Sequence, residues 1–171
     1  MNSSSQSQTH SHTTGLNKTC VTCGSTKPEE RFELTHSKKR RRINICRRCR
    51  SAGKRKSISS SPYSYLSHLY SHISHKRRDT HGFTIEREDL YAIYERQDGL
   101  CAITGIAMTH IKDGKGKRKG TMANISIDRI DNDQEYDAEN IQLVCFAVNI
   151  MKHTHSMKEF LRWCKLIASN N

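Results

Sequence analysis

Asn124-Ile125-Ser126-Ile127-Asp128-Arg129-Ile130-Asp131 opens the stretch that decides the fold. After a short acidic loop it continues as Tyr136-Asp137-Ala138-Glu139-Asn140-Ile141-Gln142-Leu143-Val144-Cys145-Phe146-Ala147-Val148-Asn149-Ile150-Met151-Lys152. Ile125 and Ile127 alternate with polar positions and lead into Asp128, which predicts a strand delivering a carboxylate at its end. Ile141, Leu143 and Val144 predict a second short strand, and Cys145 to Lys152 has the length and composition to begin a helix. A strand, loop, strand and helix that gather one Asp and two Asn make a seat for a hard divalent cation.

The loop between the two strands is acidic in a basic chain, with Asp128, Asp131, Asp133, Glu135, Asp137 and Glu139 close together. Asp131, Asp133 and Glu135 sit at alternate places, as in a calcium loop. Tyr136 stands where that loop needs glycine and Gln142 where it needs a bidentate glutamate, so the calcium reading fails. Asp133 and Glu135 fit a solvated acidic turn.

This segment resembles the HNH nucleases, whose fold is a two-stranded hairpin packed on a helix around one metal ion. Cys101-Ala102-Ile103-Thr104-Gly105 is similar to the family's usual lead-in. The resemblance covers roughly the last third of the chain and implies an HNH-like ββα-metal domain with flanking helices. Position by position, Asp128 matches the carboxylate ligand, Asn149 the helix ligand, and Asn140 the residue that ties the loop by hydrogen bonds. The implied chemistry is hydrolysis of a phosphodiester by a DNA endonuclease. One carboxylate and one amide oxygen, with waters retained, suit Mg2+ or Mn2+ more than zinc. The chain departs from the family at Arg129, which stands in the place of the general-base His. A guanidinium stays protonated, although it could hold the scissile phosphate in a bidentate grip. A base would then come from His110, His153, His155 or Asp131. The alternative is a non-catalytic, zinc-dependent nucleic-acid-binding protein on a degenerate HNH scaffold.

Many zinc-bearing HNH relatives carry two further CxxC pairs. Here Thr104 and Val148 occupy the places where partners of Cys101 and Cys145 would fall. No second structural zinc is expected, and Cys101, Cys145 and Cys164 read as buried small apolar residues.

Towards the amino terminus, Cys20-Val21-Thr22-Cys23 and Cys46-Arg47-Arg48-Cys49 form two CxxC pairs separated by 22 residues. Two such knuckles supply four thiolates, a closed tetrahedral zinc shell with no place for substrate. Arg31 to Leu34 reads as a short strand between them, giving a zinc ribbon. The second knuckle lies in a run of eleven basic residues without an acid: Lys38, Lys39, Arg40, Arg41, Arg42, Arg47, Arg48, Arg50, Lys54, Arg55 and Lys56. On a zinc scaffold this run suits phosphate contact; a solvated charge run or a nuclear import signal are the other readings. The scarcity of aromatics there argues against a base-stacking platform.

Ser57 to Ser61 reads as a linker and Pro62 as a first helical residue. Leu66, Leu69, Tyr70 and Ile73 then follow helical spacing. His68, His72 and His75 lie on the other face, ahead of Lys76-Arg77-Arg78. No third ligand accompanies the His68 and His72 pair, which fits a polar face. Thr84 begins a further helical segment with Leu90, Ile93, Tyr94 and Gln97 on one face and Gly99 as its stop. Glu86, Glu88 and Asp89 suit its amino terminus, and Leu100 and Ile103 are expected to complete a small core. Lys112 to Lys119 reads as a basic loop able to clamp a phosphate backbone. Ser156-Met157-Lys158-Glu159 is a capping-box pattern, with Met157, Phe160, Leu161 and Cys164 on one face of a last helix and Trp163 at its edge.

The 171 residues carry 29 Lys and Arg against 17 acids, a formal charge of +12, and only 34% are hydrophobic. Such a charge favours nucleic acid over a membrane surface, and the modest apolar content points to small metal-supported modules. Residues 1–18 are polar, His10 and His12 included, and have no apolar run of the kind a signal peptide needs. No stretch is apolar enough for a membrane span. The expected setting is intracellular, the cytoplasm or nucleus of a host, where cysteines bind metal more often than they form disulfides. The expected architecture is α+β: a polar tail (1–18), a four-cysteine ribbon with its basic run (19–56), a basic helical linker (57–83) and an HNH-like domain (84–171).

Overall fold

The computed structural model describes residues 16–34, 41–77, 82–111 and 122–171. His10, His12, Lys38, Lys39, Arg40, Arg78 and the basic loop from Lys112 to Lys119 lie outside the described residues. The fold is α+β, with a four-cysteine ribbon followed by a ββα unit and flanking helices. The chain divides into two compact units, residues 1–53 and 54–171.

The first unit is built from two short hairpins. Strand β1 (Asn17–Thr19) pairs antiparallel with β2 (Thr26–Pro28), so Asn17 and Lys18 already belong to the ribbon. The turn between them carries the first cysteine pair. It closes through Gly24, whose φ of 68° suits a residue without Cβ and whose N–H donates to Cys20 O at 2.8 Å. Strand β3 (Phe32–Leu34) pairs antiparallel with β4 (Arg42–Cys46), placing Phe32 opposite Cys46. Helix α1 (Arg47–Ile58) starts on the next residue, so Cys46 ends a strand and Cys49 lies in the first helical turn. Phe32, Cys20 and Cys46 are fully buried and form a very small apolar core. A core of this size leaves the unit dependent on cross-links.

In the second unit, β5 (Ile125–Arg129) and β6 (Ile141–Cys145) form an antiparallel hairpin in unbroken register, with Ile127 opposite Leu143 and Asp128 opposite Gln142. Helix α4 (Phe146–Lys152) follows directly. Helices α2 (Pro62–Arg77), α3 (Arg87–Arg96) and α5 (Met157–Ser169) flank this hairpin and helix. One core gathers Leu66, Leu90, Ile93, Ile125, Leu143, Val144, Val148 and Phe160. Tyr65 and Leu66 of α2, within the segment read as a linker, are buried in that core. Its apolar spacing therefore serves packing.

Local signals explain the helix ends. Glu86 N–H donates to Asp89 Oδ2 at 2.8 Å, so α3 starts three residues after Thr84. It stops at Gly99, which has a φ of 68° and donates to Tyr94 O at 3.1 Å. Gln97 then ties the end of α3 to β6: its Nε2 donates to Leu143 O at 2.7 Å and its Oε1 accepts from Leu143 N at 3.0 Å. Ser156 and Glu159 form the capping box of α5.

Several packing expectations are corrected. Cys101 and Cys145 are buried, but Cys164 is exposed, as are Leu161, Trp163 and Leu100. Helix α5 docks chiefly through Phe160 with Met157 beside it, so its other apolar positions stay outside the core. Arg162 lies over the Trp163 ring at 5.9 Å.

Candidate metal centre and nucleic-acid interface

In the ribbon, the sulfurs of Cys20, Cys23, Cys46 and Cys49 all lie within 4.8 Å of one another. A tetrahedral zinc shell with Zn–S of about 2.3 Å separates its sulfurs by about 3.8 Å, which is compatible with that clustering. The donor set fits a metal ion such as zinc. Without metal, Cys20 and Cys49 are shifted in opposite directions. The backbone N–H of Cys46, 3.3 Å from Cys20 Sγ, holds the Cys20 thiol low, at about 5. Its hydrogen bond with Cys46 pushes Cys49 up to about 12. Lys27, which the sequence reading missed, places Nζ 3.4 Å from Cys46 Sγ and 3.7 Å from Cys23 Sγ, and its pKa is raised by the Cys46 contact. It supplies a cation beside an anionic shell.

The basic run does not act as one surface. Arg42 Nη1 donates to Phe32 O at 2.7 Å and Arg50 pairs with Glu33 at 2.7 Å, so both brace the ribbon. Arg41, Arg47, Arg48, Lys54 and Lys56 are exposed, and Arg55 is half-buried. The exposed members of α1 are free to meet phosphates.

In the second unit, Asp128 sits near the end of β5 at the foot of a cleft of about 500 Å³. The cleft is also lined by Arg129, Asn149 and His153, and by His72, Lys76 and Arg77 of α2. Asp128 is buried, and both its oxygens are engaged. Lys152 Nζ lies 3.1 Å from Oδ1, and Gln142 Nε2 donates to Oδ2 at 2.9 Å. Lys152 also donates to Arg129 O at 2.8 Å. Each carboxylate oxygen keeps a second lone pair, so these contacts orient Asp128 without closing it to a cation. Asn149 spends its Nδ2 on Ser126 Oγ at 2.7 Å and Ile127 O at 3.1 Å, which leaves the amide oxygen as its donor to a metal. The pair therefore fits a hard divalent ion that keeps most of its waters.

Arg129 is half-buried. Its Nη1 donates to Gln134 O at 2.8 Å, and its guanidinium lies 5.0 Å over the Tyr136 ring. Asn140 lies beside the cleft and outside its lining. Its Oδ1 accepts from Asp131 N at 2.9 Å, while Nδ2 donates to Asp131 O at 2.9 Å and Glu135 O at 2.8 Å. Asp131 uses its carboxylate within the same loop, accepting from Asp133 N and Gln134 Nε2. Of the three candidate histidines, His153 lines the cleft and His110 and His155 do not. His153 closes α4 with a φ of 48°, a left-handed conformation uncommon outside glycine. Sequence reasoning gave Lys152 and Gln142 no part in this centre, and it read His72, which lines the cleft, as part of a polar helix face. The i,i+4 spacing of Lys152 from the apolar Val148 was the available signal for the first.

No family model matches the chain, and no curated protein matches it. Among solved structures it is similar to that of the rare-cutting HNH restriction endonuclease PacI, at 19% identity over 90% of this chain and 94% of that one, with a TM-score of 0.42. Among the described residues, no helix is long and apolar enough to cross a membrane.

Proposed function

We propose that this chain is a metal-dependent DNA endonuclease in which zinc holds the ribbon and the Asp128 centre hydrolyses a phosphodiester bond. The observation that carries this reading is the convergence of Asp128, Asn149, Arg129 and His153 on one cleft. Asp128 and Asn149 would hold Mg2+ or Mn2+, which when bound would offset charge developing on the phosphate and the leaving 3′ oxygen. Lys152 and Gln142 fix the carboxylate that faces the ion. Arg129 would bind the phosphate, its guanidinium steadied by Gln134 O and the Tyr136 ring. His153 takes the proton of the attacking water. Asn140 keeps in shape the loop that carries Gln134 and Tyr136, which steady Arg129. The exposed cations of α1 add sequence-independent affinity for duplex DNA.

Cleavage of supercoiled plasmid in Mg2+ or Mn2+ tests this, comparing the wild type with Asp128→Asn and Arg129→Ala. Asparagine is the better probe than alanine because it keeps an acceptor for Lys152. Cleavage lost in Asp128→Asn with DNA still bound supports the reading. One observation favours the second reading, a binding protein on the same scaffold: the charge of Asp128 is already matched by Lys152. Plasmid bound but uncut by the wild type in either metal would select it.

A further inference from the structure

We infer that the cleft takes its divalent cation together with the phosphodiester, because the described residues that line it, with Lys152 against Asp128, carry no net negative charge. The inference rests on the metal-dependent reading above and specifies how that site is filled.

Affinity for a hard cation follows the count of anionic ligands around it. Among the described residues lining the cleft, Asp128 is the sole carboxylate. Its charge is matched from beneath by Lys152, whose side chain is 0% exposed and cannot swing into solvent. The lining adds Arg77 from the last turn of α2 and Arg129 from β5. A dication entering this cleft would meet the cations of its lining and a carboxylate already neutralised by a buried partner, whose charge salt screens little.

A phosphodiester reverses the balance. Its charge is drawn by Arg77 and Arg129, and its non-bridging oxygen would complete the ligand set that Asp128 and Asn149 begin. The carboxy-terminal end of α2, with Arg77 in its last turn and His72 earlier on the helix, thereby becomes the phosphate-binding wall of the centre. The same arrangement disfavours occupation of the centre by divalent ions away from DNA.

The test is Mn2+ binding to the full-length, zinc-loaded protein, followed by electron paramagnetic resonance. It is done with and without a phosphorothioate duplex that resists cleavage. Asp128→Asn measured alongside subtracts ions held by the duplex itself. The expected result is Asp128-dependent Mn2+ binding at least about tenfold tighter with the duplex than without it. Lys152→Gln, which removes the buried charge, and Arg77→Glu, which reverses a wall charge on an exposed residue, should each strengthen Mn2+ binding to the DNA-free protein several-fold. Arg77→Glu should also weaken DNA binding. Equal Mn2+ affinity with and without duplex in the wild type, or no gain in a folded Arg77→Glu protein, would overturn the inference while leaving the nuclease reading intact. Absence of Asp128-dependent Mn2+ binding in both states, with duplex bound, would remove the metal-dependent reading itself.

Discussion

Lys152 and Asp128, 24 residues apart in the chain, form a salt bridge of 3.1 Å with side chains 0% and 3% exposed. Helix α4 turns Lys152 inward one turn after Val148, and β5 brings Asp128 to meet it. A buried ammonium needs its full set of acceptors. Here Asp128 Oδ1 and Arg129 O supply two. The pair thus locks the strand that delivers the candidate metal ligand to the helix that delivers Asn149.

Removing one partner of such a pair strands a charge in a medium that solvates it poorly. Lys152→Met is therefore expected to destabilise the second unit by about 3–5 kcal/mol, measured by urea unfolding. Asp128→Asn together with Lys152→Met should recover part of this loss, because no formal charge then remains buried at the pair. A loss below about 1 kcal/mol for the single variant would mean that the pair contributes little to the fold.

His153 is the histidine that the structure places on the cleft. If it takes the proton of the attacking water, His153→Ala should lower the single-turnover cleavage rate by about 100-fold. His110→Ala and His155→Ala should stay within a few-fold of the wild type. Equal effects from all three would exclude His153 as the base and leave His72, which also lines the cleft, as the histidine to test.

Much of the second unit was legible in the sequence, because its signals are local. Alternation at Ile125 and Ile127 marks β5, and Ser156 with Glu159 marks the start of α5. Gly99 marks the end of α3 through its φ of 68°. The candidate ligands Asp128 and Asn149 came from the resemblance to the HNH nucleases, laid onto that strand and helix. What escaped depends on partners distant in sequence. Lys152 reads as an ordinary cation at a helix carboxy terminus until Asp128 is seen against it. Lys27 reads as surface until the sulfurs of Cys23 and Cys46 surround it. Arg42 and Arg50 look like any members of a basic run, yet they spend their donors on Phe32 O and Glu33. The outward positions of Leu161 and Cys164 escaped because helical spacing gives a face but not how far the partner surface extends.

That division within the basic run has a measurable consequence. Charge reversal at Arg47, Arg48, Lys54 and Lys56 should weaken duplex binding, and each lost phosphate contact should flatten the slope of log affinity against log salt by about 0.9. Arg50→Ala and Arg42→Ala should instead act through the ribbon, lowering its stability. Fluorescence anisotropy over a salt series, with zinc content measured in parallel, separates the two groups. An unchanged slope after four reversals would place the DNA contact elsewhere.

Zinc uptake should carry a proton signature. Near neutral pH, Cys20, held at about 5 by the Cys46 N–H, is already a thiolate in the metal-free cluster. Cys49, pushed up to about 12 by its hydrogen bond with Cys46, still holds its proton. Zinc binding must displace the Cys49 proton. Apparent zinc affinity therefore falls as pH is lowered, by about tenfold per pH unit for each proton displaced. Calorimetric titration in buffers of different ionisation enthalpy counts these protons, and a count of zero would contradict the assignment. Cys20→Ser should lose the metal and the fold of the first unit, read by zinc content and by circular dichroism.

Asn140 offers a test of how the loop between β5 and β6 serves the centre without touching substrate. Its amide makes three hydrogen bonds, accepting from Asp131 N and donating to the carbonyls of Asp131 and Glu135. Asn140 is buried, so truncation leaves three backbone groups seeking partners. Asn140→Ala is expected to cost about 1–3 kcal/mol. Aspartate keeps the acceptor for Asp131 N but sets a carboxylate against two carbonyl oxygens, so Asn140→Asp should be no better tolerated than alanine. The loop carries Gln134 O, which holds Arg129, and Tyr136, over whose ring the guanidinium lies. Loosening it should therefore disturb phosphate binding by Arg129 before it disturbs Asp128, which is held separately by Lys152 and Gln142. Kinetically, Asn140→Ala should raise KM for DNA while Asp128-dependent Mn2+ binding to the DNA complex persists. If that Mn2+ binding is lost with the fold intact, Asn140 acts on the metal ligands directly, and the loop and the strand end are one mechanical unit.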